Sequence, residues 1–343
     1  MRIALIGAGA IGTILGALIS EGGEDIELVD TYKEHVAALA QNGATIKGFM
    51  NCTVPVKAIM PCDMSGKYDL IISLTKHQGL EDSLVHALQY MHDETVVLTL
   101  QNGIPEDVSR KLVGSERVMG GGVGFGATWL EPGASELTSG PSSLQITFGR
   151  LDGKITEKAK EVKKIFSLFG ESKISSNIVG TRFSKLTDNA TFSGMSAVLG
   201  CNNGQILDSY EAMICIAHLG SEAGLIIEKL GIQPENIFGL QPLIENVGFT
   251  TKREMDELIN NYWTPIYTPY RAGIASMLQD IRKGKMCEIN QINGKFVELG
   301  EQLGIDVPYM RMVVEIVTKL QNGELQLEDS WDNLKYFDMP QFS

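Results

Sequence analysis

Basic residues are in short supply: 29 Lys and Arg stand against 42 Asp and Glu, a formal net charge of −13. Such a surface repels a nucleic-acid backbone, which argues against nucleic acid as a partner. An anionic small molecule would have to be met by a local pocket of Lys, Arg or amide groups working against the overall field. Cysteine is also scarce. Cys52, Cys62, Cys201, Cys215 and Cys287 are odd in number and never spaced as a Cys-x-x-Cys pair, so they read as free, mostly buried thiols of a reducing compartment. The five histidines (His35, His77, His86, His92, His218) include no His-x-x-x-His pair, and no metal is expected. No apolar run approaches the roughly 18 residues that span a bilayer. Met1 to Ile6 enters a strand directly, without a basic leader or a small-residue cleavage site. The expectation is a cytoplasmic chain without a membrane partner.

What is present is an ordinary globular composition, 43% hydrophobic and 21% charged over 343 residues. That length favours two domains, and small-molecule sites tend to lie in the cleft between domains. Ile3-Ala4-Leu5-Ile6 is a short apolar run ended by glycine, which fits a strand buried on both faces of a parallel sheet. A helical period follows from Thr13 to Glu21, then a strand at Ile26–Val29, giving a βαβ unit. The alternation continues: a helix over Glu34–Gln41, a strand-like stretch over Cys52–Ile59, a buried strand at Leu70–Leu74, a helix over Gly79–Gln89, a strand at Thr95–Leu100 and a helix over Pro105–Leu112. The glycine-rich, β-branched stretch from Val118 to Gly149 predicts antiparallel strands that close the sheet edge. Beyond Ser175 the period is helical, with candidate helices at Arg182–Leu199, Ser209–Leu230, Lys252–Ile259, Gly273–Lys283, Cys287–Leu303 and Val307–Gln321. The expected fold is α/β: a Rossmann-type doubly wound sheet over residues 1–175, followed by an all-α domain over 176–343.

Gly7-Ala8-Gly9-Ala10-Ile11-Gly12 follows the first strand and opens the first helix, the context a dinucleotide-binding loop requires. Gly7 permits a tight turn, Gly9 lets the backbone approach a pyrophosphate, and Gly12 allows close packing of helix on strand. The helix N-terminus offers unpaired N–H groups to the phosphates. Asp30, at the end of the second strand, stands where a carboxylate can accept hydrogen bonds from the adenosine ribose. It would repel a 2′-phosphate, and only Lys33 is near to offset it, so NAD is favoured over NADP.

Further stretches join the glycine loop: Leu74-Thr75-Lys76, Gln101-Asn102-Gly103, Lys185-Leu186-Thr187-Asp188-Asn189 with Asn202-Asn203-Gly204, and Ser276–Ile281 with Glu288–Gly294. With these the chain resembles the ketopantoate reductase (2-dehydropantoate 2-reductase) family over most of its length. The resemblance implies reduction of 2-dehydropantoate to (R)-pantoate by hydride transfer from a nicotinamide cofactor. It makes Lys185 the general acid, and gives Glu288 the task of holding a substrate hydroxyl or the catalytic ammonium. Asn189 would share the cleft-facing side of the helix with Lys185, Ser276 and Asn203 would bind the substrate carboxylate, and Asn102 would lie near the nicotinamide ribose and the substrate. Lys76 would neutralise a cofactor phosphate or orient the nicotinamide end.

Two departures bear on specificity. The family often has a second asparagine one turn after Asn189, where this chain has Ser193, and NADP-preferring relatives carry a basic residue near the position of Asp30. Both leave open an NAD-dependent D-2-hydroxyacid dehydrogenase acting on branched or aromatic 2-oxo acids. A catalytically silent dinucleotide sensor is the alternative of another class. Arg271 is a further candidate carboxylate ligand, read first as a surface or interface cation. The aromatic stretch from Ile232 to Tyr270 reads as a cover for the site, a dimer interface or added helical core; a homodimer is the expected assembly.

Overall fold

The computed structural model describes residues 1–337, and the chain divides into two compact units between Ile178 and Val179. The first unit opens with β1 (Arg2–Ile6), α1 (Ala10–Glu21), β2 (Asp25–Val29), α2 (Lys33–Asn42), β3 (Ala44–Gly48), β4 (Cys52–Val54) and β5 (Lys57–Ile59). It continues through β6 (Tyr68–Ser73), α3 (Leu80–Ala87), β7 (Met91–Thr99), α4 (Glu106–Val113) and β8 (Val118–Val123). The last elements are β9 (Ala127–Glu131), β10 (Ala134–Leu137), β11 (Gln145–Arg150), α5 (Glu157–Phe166) and β12 (Glu171–Ile174).

Eight of these strands form one sheet in the order β12-β11-β8-β7-β6-β1-β2-β5. All its pairs are parallel except β8 with β11. The continuous apolar runs of β1 and β6 are buried because helices cover the sheet. The chain leaves β1 toward β2 on one side and returns to β6 on the other, so the strand order reverses at β1, and a ligand crevice is expected beyond the carboxyl ends of strands at such a point.

The stretch from Val118 to Gly149 does not all close this sheet. β8 and β11 extend it, but β9 and β10 leave to form a separate four-stranded sheet in the order β4-β3-β10-β9. Its central pairing, β3 with β10, joins Thr45 to Ala134 and Gly48 to Leu137, a long-range match that local patterning does not announce. The expected Cys52–Ile59 stretch is likewise shared between the two sheets, β4 in one and β5 in the other. α1 lies against both layers, which explains a helix buried without a break from Gly12 to Ile19.

The second unit is helical. α6 (Ile178–Asp188), whose first residue closes the first unit, leads to α7 (Gly194–Leu199), α8 (Asn203–Leu207), α9 (Tyr210–Lys229), α10 (Ile244–Val247) and α11 (Lys252–Leu258). Then follow α12 (Thr264–Tyr267), α13 (Ser276–Arg282), α14 (Asn293–Leu303) and α15 (Pro308–Gln321). The expected helix over Arg182–Leu199 is present but widens into a π turn at Asn189–Ser193. The expected helix from Cys287 begins only at Asn293, after a 3₁₀ turn at Ile289–Gln291. α9 has the length and hydropathy of a membrane span, yet 67% of that stretch is buried inside the protein; it is the central helix on which α10, α14 and α15 pack.

α9 also carries Glu222, whose carboxylate accepts the N–H groups of Tyr309 and Met310 at 2.8 Å each, capping α15 from a neighbouring helix. Burial pushes this carboxyl up to about 7, against the pull of the two N–H groups. A raised carboxyl stabilises the fold most below its unfolded value, and that contribution is lost as pH rises through the folded one. Each pH unit of the window is worth about 1.4 kcal/mol, so stability should decline by about 3 kcal/mol between pH 4.5 and 7 on this account. Urea midpoints across that range should fall in the wild type and stay nearly level in Glu222→Gln; parallel curves would show that another group sets the slope.

Candidate active site

The glycine loop is built as its residue types demand. Gly7 has φ +100°, and a Cβ there would lie 2.5 Å from the Thr75 nitrogen, so β1 and the end of β6 can meet only through a bare backbone. A Cβ on Gly12 would lie 2.1 Å from the Gly7 carbonyl oxygen, which fixes the close seat of α1 on the loop. At Gly9 a Cβ would meet nothing within 4 Å. Gly9 is exposed and caps α1 without any side-chain hydrogen bond, and no acidic residue stands in the first turn formed with Ala10 and Ile11. The open backbone and uncapped N–H groups fit a pyrophosphate.

Other expected cofactor residues gather at the same edge. Gly7 N–H donates to Val29 O at 2.8 Å, Leu74 N–H to Ile6 O at 2.8 Å, and Leu100 N–H to Ser73 O at 3.1 Å. These bonds tie the loops that hold Asp30, Lys76 and Asn102 to the carboxyl ends of β1, β2, β6 and β7. Asp30 Oδ1 accepts the Tyr32 N–H at 3.0 Å, which fixes its carboxylate at the strand end. Lys76 is exposed and Asn102 half-buried.

Two residues here were given no role from the sequence. The Thr75 hydroxyl is buried beside Gly7 with no hydrogen-bond partner among the described residues. His35 is buried, accepts the Gly133 N–H on Nδ1 at 2.9 Å, and therefore carries its proton on Nε2, 2.7 Å from the Ala8 carbonyl. It latches the glycine loop to the turn between β9 and β10. Thr13 donates to the same Ala8 carbonyl at 2.7 Å.

In the second unit, Lys185 lies near the end of α6 with 38% of its side chain exposed, and its ammonium is 2.6 Å from Asp188 Oδ2. Asp188 Oδ1 accepts the Tyr267 hydroxyl, also at 2.6 Å. Tyr267 is buried, and its ring stacks on Phe192 at 3.6 Å. Burial and then the Asp188 charge hold its phenol well above the usual range, so it remains a donor. The sequence set Lys185 beside Asn189 and did not mark Asp188 as its partner; Tyr267, 79 residues away, was not marked either.

Asn189 opens the π turn, and its amide makes no hydrogen bond to the described residues. Asn203 begins α8; its amide donates to the Tyr270 carbonyl at 3.2 Å and its N–H to Gly273 O at 3.1 Å. Ser276 is exposed at the start of α13. Glu288 is buried, and its carbonyl accepts the N–H groups of Gln291 and Ile292. Arg271 pairs with Asp208 at 2.6 Å on the surface.

A doubly wound sheet, a glycine loop with open backbone at its switch point, and a helical unit presenting a half-exposed lysine define a two-domain oxidoreductase. The ketopantoate reductase PanE/ApbA model matches residues 3–153, and the model of the C-terminal part of the same family matches residues 177–321. The chain belongs to the ketopantoate reductase family. It is 31% identical to the 2-dehydropantoate 2-reductase of Pyrococcus horikoshii, over 90% of this chain and 93% of that one. Identity to the 2-dehydropantoate 2-reductase of Lactococcus lactis is 28%, over 92% and 97% of the two chains. The fold is shared with D-mandelate dehydrogenase in a ternary structure with NADH and anilino(oxo)acetate, at 24% identity and a TM-score of 0.80, over 94% and 99% of the chains.

Proposed function

We propose that the protein reduces 2-dehydropantoate to (R)-pantoate with NADH as donor and Lys185 as the general acid. The observation that carries this reading is the Lys185 ammonium, half-exposed and held on one side by Asp188. It leaves a cationic N–H donor for a ketone oxygen, which gains negative charge as the carbonyl carbon is reduced. The nicotinamide, when bound, supplies the hydride. Lys185 hydrogen-bonds the ketone oxygen and gives it a proton from Nζ, Asn203 and Ser276 bind the carboxylate, and Glu288 holds the substrate hydroxyl. In the first unit Gly7 to Gly12, with Ala8, Ala10 and Ile11, seat the pyrophosphate, Asp30 binds the ribose, and Lys76 and Asn102 serve the nicotinamide end. The names of the curated relatives, matched over nine-tenths of the chain, support this substrate. The direct test is kcat/KM for 2-dehydropantoate against 2-oxoisocaproate and phenylglyoxylate, with each dinucleotide. If 2-dehydropantoate is the poorest of the three, the substrate assignment is wrong.

The same panel tests the second reading, a D-2-hydroxyacid dehydrogenase for branched or aromatic 2-oxo acids, which Asp30 and Ser193 favour. Asp30 carries the preference for NADH in either case. Its carboxylate is fixed at the strand end by the Tyr32 N–H, and a charge-assisted hydrogen bond is worth about 1.5–3 kcal/mol. Asp30→Ser should therefore lower the NADH over NADPH ratio of kcat/KM by about tenfold or more. An unchanged ratio would place cofactor choice elsewhere.

A further inference from the structure

Among the described residues, one that is not glycine has a positive φ: Phe238, at 54°. An L side chain in this region crowds its own backbone, and Phe238 is in addition 61% exposed. Glycine would adopt this conformation at less cost than a large side chain. The turn is nevertheless firmly made: Ile237 and Leu240 exchange backbone hydrogen bonds of 2.9 and 2.8 Å, and Gly239 N–H donates to Asn236 Oδ1 at 3.1 Å. Strained residues that survive in this way cluster at functional sites.

The strain sets the ring at a particular place. Lys185 Nζ lies over it, 5.7 Å from its centroid. Tyr270 also meets the ring, edge to face at 6.3 Å, and is 47% exposed. The Tyr270 carbonyl in turn accepts the Asn203 amide. An exposed aromatic surface therefore links Lys185, proposed to bind the ketone, with Asn203, proposed to bind the carboxylate.

We propose that Phe238 is a specificity-determining residue: with Tyr270 it forms an aromatic surface beside Lys185 against which the apolar group next to the ketone carbon packs. The enzyme is thereby selective for 2-oxo acids with a branched or aromatic group at that carbon over small ones. The two methyl groups of 2-dehydropantoate and the ring of an aryl 2-oxo acid both meet that description. The inference rests on Lys185 being the general acid.

Phe238→Gly tests it, because glycine adopts positive φ freely and so relieves the strain while removing the ring. The melting temperature should hold or rise. At the same time kcat/KM for phenylglyoxylate and for 2-oxoisovalerate, each relative to pyruvate, should fall about tenfold. A variant that slows all three acids equally overturns the proposal, as does a wild-type enzyme that prefers pyruvate to both larger acids. Lys185→Met run on the same acids separates the two claims. If it stays active the reading of Lys185 fails; if it is inactive while the Phe238→Gly ratios do not move, only the aromatic surface fails.

Discussion

A Lys185→Met enzyme is expected to lose about three orders of magnitude in kcat, within the range that a positioned general acid supplies. Methionine keeps an unbranched apolar stem of similar reach but offers no proton and no cation. Lys185 is assigned to the ketone and not to the dinucleotide, so the dissociation constant for NADH should stay within about twofold. The fold should tolerate the change, since the ammonium is partly exposed and its pairing with Asp188 is local. Asp188 keeps its hydrogen bond from Tyr267. Single-turnover rates under saturating NADH, beside the binding constant, separate chemistry from binding. A kcat within tenfold of wild type would remove Lys185 from the reaction.

The second large effect is a contrast between two glycines three residues apart. Gly9→Ala places its methyl where no protein atom comes within 4 Å, so stability should be unchanged. The same methyl occupies the face on which the bare backbone would meet the pyrophosphate. Loss of charge-assisted N–H contacts of about 1.5–3 kcal/mol should weaken NADH binding by about ten- to a hundredfold. Gly12→Ala must instead displace the Gly7 carbonyl, 2.1 Å from the new atom, and overpacking of this kind typically costs about 1–3 kcal/mol. Melting curves and NADH fluorescence titrations read the two quantities separately. Equal affinity in Gly9→Ala and wild type would mean that the loop is only a turn.

The first βαβ unit was legible because everything that makes it is local: an apolar run, three glycines at set offsets, a helical period and a carboxylate at the next strand end. The helical texture beyond residue 175 was legible for the same reason. The second sheet was not, since its central pairing matches Thr45 with Ala134, and neither strand carries a pattern that names its partner. α5 and β12 fell in a stretch without a strong periodic signal. The π turn at Asn189–Ser193 takes one extra residue into a single turn, and no residue type marks where it falls, so it too was hidden.

At the site, residue types announced themselves only where a motif fixes their spacing. Gly7, Gly9, Gly12 and Asp30 were readable from turn and charge chemistry, whereas Lys185, Asn203, Ser276 and Glu288 came from resemblance. His35, Tyr267 and Phe238 make contacts across the fold, with the Gly133 N–H, the Asp188 carboxylate and the Lys185 ammonium respectively. A buried histidine, a tyrosine in an aromatic stretch and an isolated phenylalanine look alike in any sequence. Only the fold gives them partners.

Hydride transfer to the ketone carbon of a 2-oxo acid leaves an isotopic mark on the product. It is tested most directly by incubating the enzyme with 2-dehydropantoate and NADH carrying deuterium on both faces of the nicotinamide C4, then reading the product by NMR. Pantoate of one configuration, with a single deuterium at C2 in every molecule formed, is expected. Pantoate without deuterium at C2, or no oxidation of NADH with this or any branched or aromatic 2-oxo acid, would contradict it.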